Sequence, residues 1–195
     1  MNSKKIGLIA LIAGAIIALL FYSGYNSFVK LDEEVKVKWN EIQNTYQRRN
    51  DLIPSLVNVV KGSTDYEQNV LRQLTEARAQ AGRTNTSVIS HDTYQQQEAA
   101  QGNVTNNMNK IIAVVENYPN LQSTKEFTTL QSQLEGTERR IKFARKDFNA
   151  AVMDYNKKVR SFPWNIVGSV LGFKVKEGFT ADAGTQNAPE VKFNK

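Results

Sequence analysis

The chain contains no cysteine. That excludes structural disulfides, thiolate metal sites, a cysteine nucleophile and a lipidated N-terminal cysteine, and it leaves the compartment open. There is one histidine, His91, so a multi-histidine metal centre or a serine–histidine triad would have to be built around that single residue. Asp92 lies beside it, but no partners follow at metal or triad spacing, and His91 reads as a surface residue in a loop. Proline (4) and glycine (11) are scarce in 195 residues, and no glycine-rich phosphate loop is present. Alternating strand patterns of useful length and defensible internal repeats are also lacking. Neither sign of charge dominates: 25 basic and 19 acidic residues are interleaved, for a net charge of +6. With no single basic block, nucleic acid is not an expected partner, whereas some attraction to anionic lipid is. Gln, Asn, Lys and Glu are plentiful, a composition that suits long helices.

One long apolar run stands out. Residues 6–29 carry no charge, and the strongly apolar part, 6–22, follows Lys4 and Lys5. At about 17 residues it is at the short end of a membrane-spanning helix. A cleavable signal peptide would have a shorter apolar core and a small-x-small site, whereas this run ends in Leu20, Phe21 and Tyr22. The expectation is a short basic N-terminus (1–5) and an uncleaved transmembrane anchor (6–26), with Phe21, Tyr22 and Tyr25 at the bilayer interface. Lys4 and Lys5 are the charges closest to the span, which favours the N-terminus inside and the rest of the chain outside the cytoplasm.

Beyond the anchor the apolar residues recur three or four apart. Phe28, Leu31, Val35, Trp39, Ile42, Tyr46, Arg49, Ile53, Leu56 and Val60 form a near-heptad seam. Gly62 and a capping-box pattern at 64–67 precede a second series at Val70, Leu71, Leu74, Ala77 and Ala81. Residues 81–93, rich in Gly, Ser, Thr and Asn, read as a loop. A third series runs through Val104, Met108, Ile111, Ile112, Val115 and Tyr118 to Pro119; its first half is weakly apolar and reads as frayed. A capping box at 123–126 opens the last seam, from Phe127 through Leu134, Ile141, Phe148 and Tyr155 to Phe162. The predicted fold is all-α: the anchor, then an antiparallel four-helix bundle over 27–177. Its helices fall at about 27–61, 65–81, 93–118 and 124–161, with a short apolar segment at 162–174 and a flexible tail at 178–195. The last helix returns to the membrane. Phe162, Trp164, Ile166 and Phe173 are therefore delivered near the bilayer, either as a cap on the bundle or as an interfacial segment.

The stretch "QRRNDLIP" interrupts the first seam with four polar residues and a proline. Pro54 removes a helical hydrogen bond to the carbonyl of Asn50 and crowds it. The seam nevertheless keeps its phase, which predicts one helix with a bend at Pro54. In an antiparallel bundle residue n of the first helix faces roughly residue 190 − n of the last. Arg49 then falls within a turn of Glu138, and Asp51 near Arg139 and Arg140. These five residues are candidates for a polar layer that fixes register. The basic cluster "ERRIKFARK" around them reads first as a solvated helix surface paired with neighbouring acids, and second as a phosphate or lipid contact.

Several stretches together resemble the LemA family of bacterial membrane-anchored helical proteins. They are "YNSFVKLDEEVKVKWNEI", "QRRNDLIPSLVNVVKG", "ARAQA", "ENYPNLQSTKEFTTLQSQLEGTERRI", "ARKDFNAAVMDYNKKVRSFPWNIV" and "LGFK". The resemblance covers about 25–179 and implies an N-terminal transmembrane helix, a helical bundle and no established catalysis. Roles in membrane organisation and links to membrane proteases have been proposed for the family. Two positions depart from its usual pattern. Tyr66 stands before Glu67 where a histidine is frequent, so no metal role transfers there, and Phe148 replaces a common tyrosine.

Together these readings point to a single-pass bacterial membrane protein with no catalytic, metal or cofactor site. Its bundle would lie on the extracytoplasmic, periplasmic side and act as a scaffold for self-association or membrane-protein partners. The alternative is an extracytoplasmic ligand- or lipid-binding module, with membrane remodelling through residues 162–174.

Overall fold

The computed structural model describes residues 3–61, 68–84 and 91–179. Every regular element among them is helical: α1 (Ser3–Lys61), α2 (Gln68–Arg83), α3 (His91–Val115), α4 (Pro119–Gln122), α5 (Lys125–Arg160) and α6 (Trp164–Leu171). The anchor and the first bundle helix are one element. α1 runs 59 residues without interruption, roughly 88 Å at 1.5 Å per residue. Its apolar start is long enough to cross a membrane and is wholly unburied against the rest of the chain. From Phe28 onward the predicted seam turns inward, and every seam residue but half-buried Leu31 is buried, Arg49 included.

Pro54 sits inside α1 without ending it. The carbonyl it frees, that of Asn50, accepts a hydrogen bond from Arg78 Nε of α2 at 2.9 Å. The lost helical donor is thus replaced from a neighbouring helix, and the replacement also pins α2 against α1. An unmet buried carbonyl would cost about 1–3 kcal/mol.

The helices run up, down, up and down. α5 lies antiparallel along α1, pairing Trp39 with Phe148 and Arg49 with Glu138. Residue n of α1 therefore faces roughly residue 187 − n of α5, within one turn of the expected register. α2 packs chiefly on α3, and α1 chiefly on α5.

Boundaries differ from the sequence expectation in four places. α3 begins at His91, so this residue opens a helix instead of lying in a loop. The first half of α3 is regular, because its polar side chains Gln97 and Gln101 are buried against partners on α1. α3 stops at Val115, and Pro119 opens the separate short helix α4, where its missing N–H is harmless. The N-cap of α5 is Thr124, which accepts from the Phe127 N–H at 3.3 Å; Ser123 bonds back to Asn120 instead. The capping box at 64–67 lies outside the described residues.

Past α5 the chain turns through Phe162 and Pro163 into α6, which packs on α1. Residues 173–179 then run without helix back along α5. The flexible tail expected from residue 178 therefore needs correction at its start. Phe179 is seated against Tyr94, Phe148 and Trp39, at ring-centroid distances of 4.4, 5.6 and 6.3 Å. Residues 180–195 lie outside the described residues.

Candidate functional site

Two buried clusters fill the bundle, one aromatic and near the membrane span, one aliphatic and far from it. Between them lies a belt of polar side chains. Arg49, only 2% exposed, is its centre. Its Nη1 donates to Glu138 Oε1 at 2.8 Å and to the Thr105 hydroxyl, and its Nη2 donates to the Gln101 carbonyl at 3.1 Å and to Gln101 Oε1. One guanidinium thereby ties α1 to both α3 and α5. One level closer to the membrane, Gln43 and Gln97 exchange reciprocal amide bonds of 2.7 and 2.6 Å. On the α5 side the Tyr46 hydroxyl accepts from Arg145 Nε and Nη2 at 3.0 and 2.8 Å, and Arg145 lies 3.7 Å from Glu98.

The charges here have a clear electrostatic setting. Burial disfavours the Arg145 cation, but the Tyr46 oxygen and Glu98 outweigh it and raise its pKa. Burial pushes both Tyr46 and Tyr94 up, keeping their hydroxyls neutral. Arg49 Nε, Asn50 Oδ1 and the Tyr94 hydroxyl are buried with no hydrogen-bond partner among the described residues. The belt opens on one side, between α3 and α5, into a cleft of about 720 Å³ lined by Arg49, Gln101, Thr105, Glu138, Lys142 and Arg145, among others.

Of the five residues expected in the layer, Arg49 and Glu138 come together. Asp51 does not join them. It is exposed and accepts from Gln47 of its own helix at 2.8 Å. No ion pair links it to Arg139 or Arg140 among the described residues, and both arginines are exposed on α5. The sequence reading missed Gln97, Gln101 and Thr105. Their signal was present: they recur every fourth residue on the same helix as Val104 and Met108, a polar stripe inside an apolar one. Within the described residues no group of three or more His, Asp or Glu side chains could hold a metal ion.

The membrane-proximal set is split as well. Gly24, just beyond the apolar span, and Gly168 let α6 approach α1 closely. A Cβ at Gly24 would lie 2.9 Å from Val167 and 3.1 Å from Trp164, and one at Gly168 3.1 Å from Phe28. Trp164 is half-buried there, with Lys158 Nζ 3.7 Å above its ring, and burial lowers the pKa of that lysine. Phe173 turns inward and stacks on Phe28 at 4.8 Å. Phe162 and Ile166 face outward, 79% and 56% exposed, joined by Val170 at 68%. Lys157 and Arg160 at the end of α5, with Lys174, add exposed positive charge at the same level.

The sequence profile of the LemA family matches residues 38–193. Two relatives are magnetosome proteins. One is MamQ 2 of Paramagnetospirillum magneticum, 28% identical over 174 residues; the other is MamQ of Magnetospirillum gryphiswaldense, 25% identical over 174 residues. Each alignment covers 80% of this chain and 64% of the relative, so the chain spans less than two thirds of their length. The profile covers most of the bundle, and the chain belongs to the LemA family.

Proposed function

For this LemA-family chain we propose a non-catalytic scaffold held in a bacterial membrane by one transmembrane helix. Its N-terminus lies inside, and its bundle outside the cytoplasm serves self-association or membrane-protein partners. The observation that carries this reading is the continuity of α1. The same 59-residue helix supplies the apolar span and the bundle's central seam, so the bundle is a rigid extension of its anchor. The test is the mass of the full-length protein in mild detergent, together with crosslinking in native membranes. Oligomers or a reproducible partner are expected. A monomer at every concentration, with nothing attached, would overturn the reading.

A second reading is favoured by α6. An apolar face made by Phe162, Ile166 and Val170, fastened beside the end of the span and bordered by Lys157, Arg160 and Lys174, has the make-up of a helix lying in the headgroup layer of an anionic bilayer. The variant pair Ile166→Glu and Val170→Glu tests it, whereas Phe173→Glu would not, because Phe173 packs on Phe28. In nanodiscs with acyl-brominated anionic lipid, quenching of Trp164 is expected, with Trp39 replaced by Phe to isolate the signal. Quenching unchanged by the two glutamates would remove α6 from the membrane.

A further inference from the structure

Residues 173–179 form a strap laid along α5 and held by two of its asparagines. Asn156 Nδ2 donates to the Lys176 carbonyl at 2.7 Å, and its Oδ1 accepts from the Lys176 N–H at 2.8 Å. Asn149 Nδ2 donates to the Phe179 carbonyl at 2.9 Å, and its Oδ1 accepts from the Phe179 N–H at 2.7 Å. An amide that satisfies both backbone groups of one residue reads main chain and leaves the side chain to its surroundings. Lys176 Nζ lies 2.8 Å from Asp32 Oδ1, and Phe179 enters the socket of Tyr94, Trp39 and Phe148. From Lys176 to Phe179 the strap advances three residues while α5 passes seven, from Asn156 to Asn149. Seven helical residues rise about 10.5 Å, so each strap residue climbs roughly 3.5 Å. That is extended chain, directed away from the membrane span.

The same face of α5 continues from Asn149 to Arg145, Lys142 and Glu138, three or four residues apart. These three line the cleft of about 720 Å³, opposite Gln101 and Thr105 of α3. α3 packs closely on α2 but not on α5, so the cleft is the side of the bundle left open. It begins where the strap arrives: the Arg145 guanidinium lies 4.6 Å from the centre of the Phe179 ring. Its charges are uneven. Arg49 is paired with Glu138, and Arg145 faces Glu98 at 3.7 Å. Lys142 remains, exposed and without an ion pair among the described residues.

The sequence beyond Phe179 suits this opening. Thr180, Ala181, Ala183, Gly184 and Thr185 carry small side chains that fit a gap between helices, and Asp182 is the only charge between Gly178 and Pro189. At the strap's own pace, the residue three beyond Phe179 faces the residue seven before Asn149. That sets Asp182 against Lys142, a lone carboxylate against the cation left unpaired in the cleft. We propose that residues 180–185 continue the strap into the cleft between α3 and α5, with Asp182 on Lys142. The cleft is thus an intrachain docking site for a small-residue, acidic segment. The docked segment ties α3 to α5 where the two helices do not pack, and it shields the Arg49–Glu138 pair from water.

The test uses the full-length chain at one copy per nanodisc, where the lack of native cysteine makes an engineered thiol unambiguous. Gly102 of α3 lines the cleft, and a Cβ there has open space. Maleimide labelling of Gly102→Cys should be slow. It should quicken roughly fivefold in Lys142→Glu and in Asp182→Lys, the scale of losing one surface ion pair. Combining the two substitutions reverses the pair and should restore the slow rate. A carboxylate near the thiol would by itself slow labelling, so faster labelling in Lys142→Glu reports uncovering. Hydrogen exchange at residues 180–185 should follow the same pattern, slow in the unaltered chain and in the double variant and fast in each single one. Asn44→Cys, on the exposed face of α1, should label equally throughout. Equal labelling of Gly102→Cys in all four backgrounds, or a double variant as fast as either single one, would overturn the docking. So would exchange at residues 180–185 as fast as in a free peptide of that sequence.

Discussion

The two halves of the bundle share α1 and α5 but are closed in different ways. The half far from the membrane is a four-helix core of aliphatic side chains, among them Leu56, Leu74, Val104, Met108 and Ile111. The half near the membrane is built around Trp39, Tyr46, Tyr94, Phe148 and Tyr155. α2 does not extend into that cluster, and the strap carrying Phe179 covers it. Large rings span a gap that α1, α5, the start of α3 and the strap leave, where four helices would need only Leu and Val. The Arg49 belt lies at the change-over. A one-turn slip of α1 on α5 would bury the guanidinium without Glu138.

The sharpest way to break this contrast is to remove a ring. Trp39→Ala should cost about 3–5 kcal/mol, and Leu74→Ala in the far half about 2–4, by chemical unfolding in detergent. Trp39→Ala should also release the strap, seen as faster hydrogen exchange at Phe179, and Leu74→Ala should not. Next comes the belt. Arg49→Met should cost about 3 kcal/mol, and a double-mutant cycle with Glu138→Gln should show clear coupling. Coupling near zero would remove Arg49 and Glu138 as a register lock. Smaller still is the Pro54 site. Arg78→Ala should cost about 1–2 kcal/mol by stranding the Asn50 carbonyl, and Pro54→Ala, which restores a helical donor, should recover most of it. Without recovery, the bond from Arg78 is not a replacement for the lost one.

Acid should separate the halves by a milder route. Burial of Asp32 opposes its charge, but the bonds from Lys176 and Lys36 outweigh that and hold its pKa below the usual carboxylate range. A depressed folded pKa means the stabilisation is complete above the unfolded value, about 4, and is lost as pH falls through the folded one. The strap should therefore loosen only below about pH 4, and Asp32→Asn should show the same loosening at neutral pH, read from exchange at Lys176. The smallest effect belongs to the exposed pair Arg72 and Glu76, whose removal should change stability by under about 0.5 kcal/mol.

Much of the fold was legible because apolar spacing is a local property. Both long seams, the antiparallel register and the meeting of Arg49 with Glu138 follow from periodicity and helix rise alone. What escaped was set by contacts distant in sequence. Gln97 and Gln101 looked too polar for a core, and only their partners Gln43 and Arg49 make burial tolerable. Asp51 shared the charge pattern of the layer but points off the seam. Phe179 sat in a polar, glycine-containing stretch typical of a tail, and nothing local announces a socket formed by Trp39, Tyr94 and Phe148. Asn149 and Asn156 are ordinary helix-surface residues until a backbone is laid across them.

The uninterrupted α1 also acts as a ruler. The part beyond Phe28, at 1.5 Å per residue, puts the tip near Lys61 roughly 50 Å from the level of α6. With no swivel between span and bundle, a tilt of only a few degrees in the lipid moves that tip several ångströms sideways. Anything gripping the far end would thus register bilayer thickness and slope as displacement.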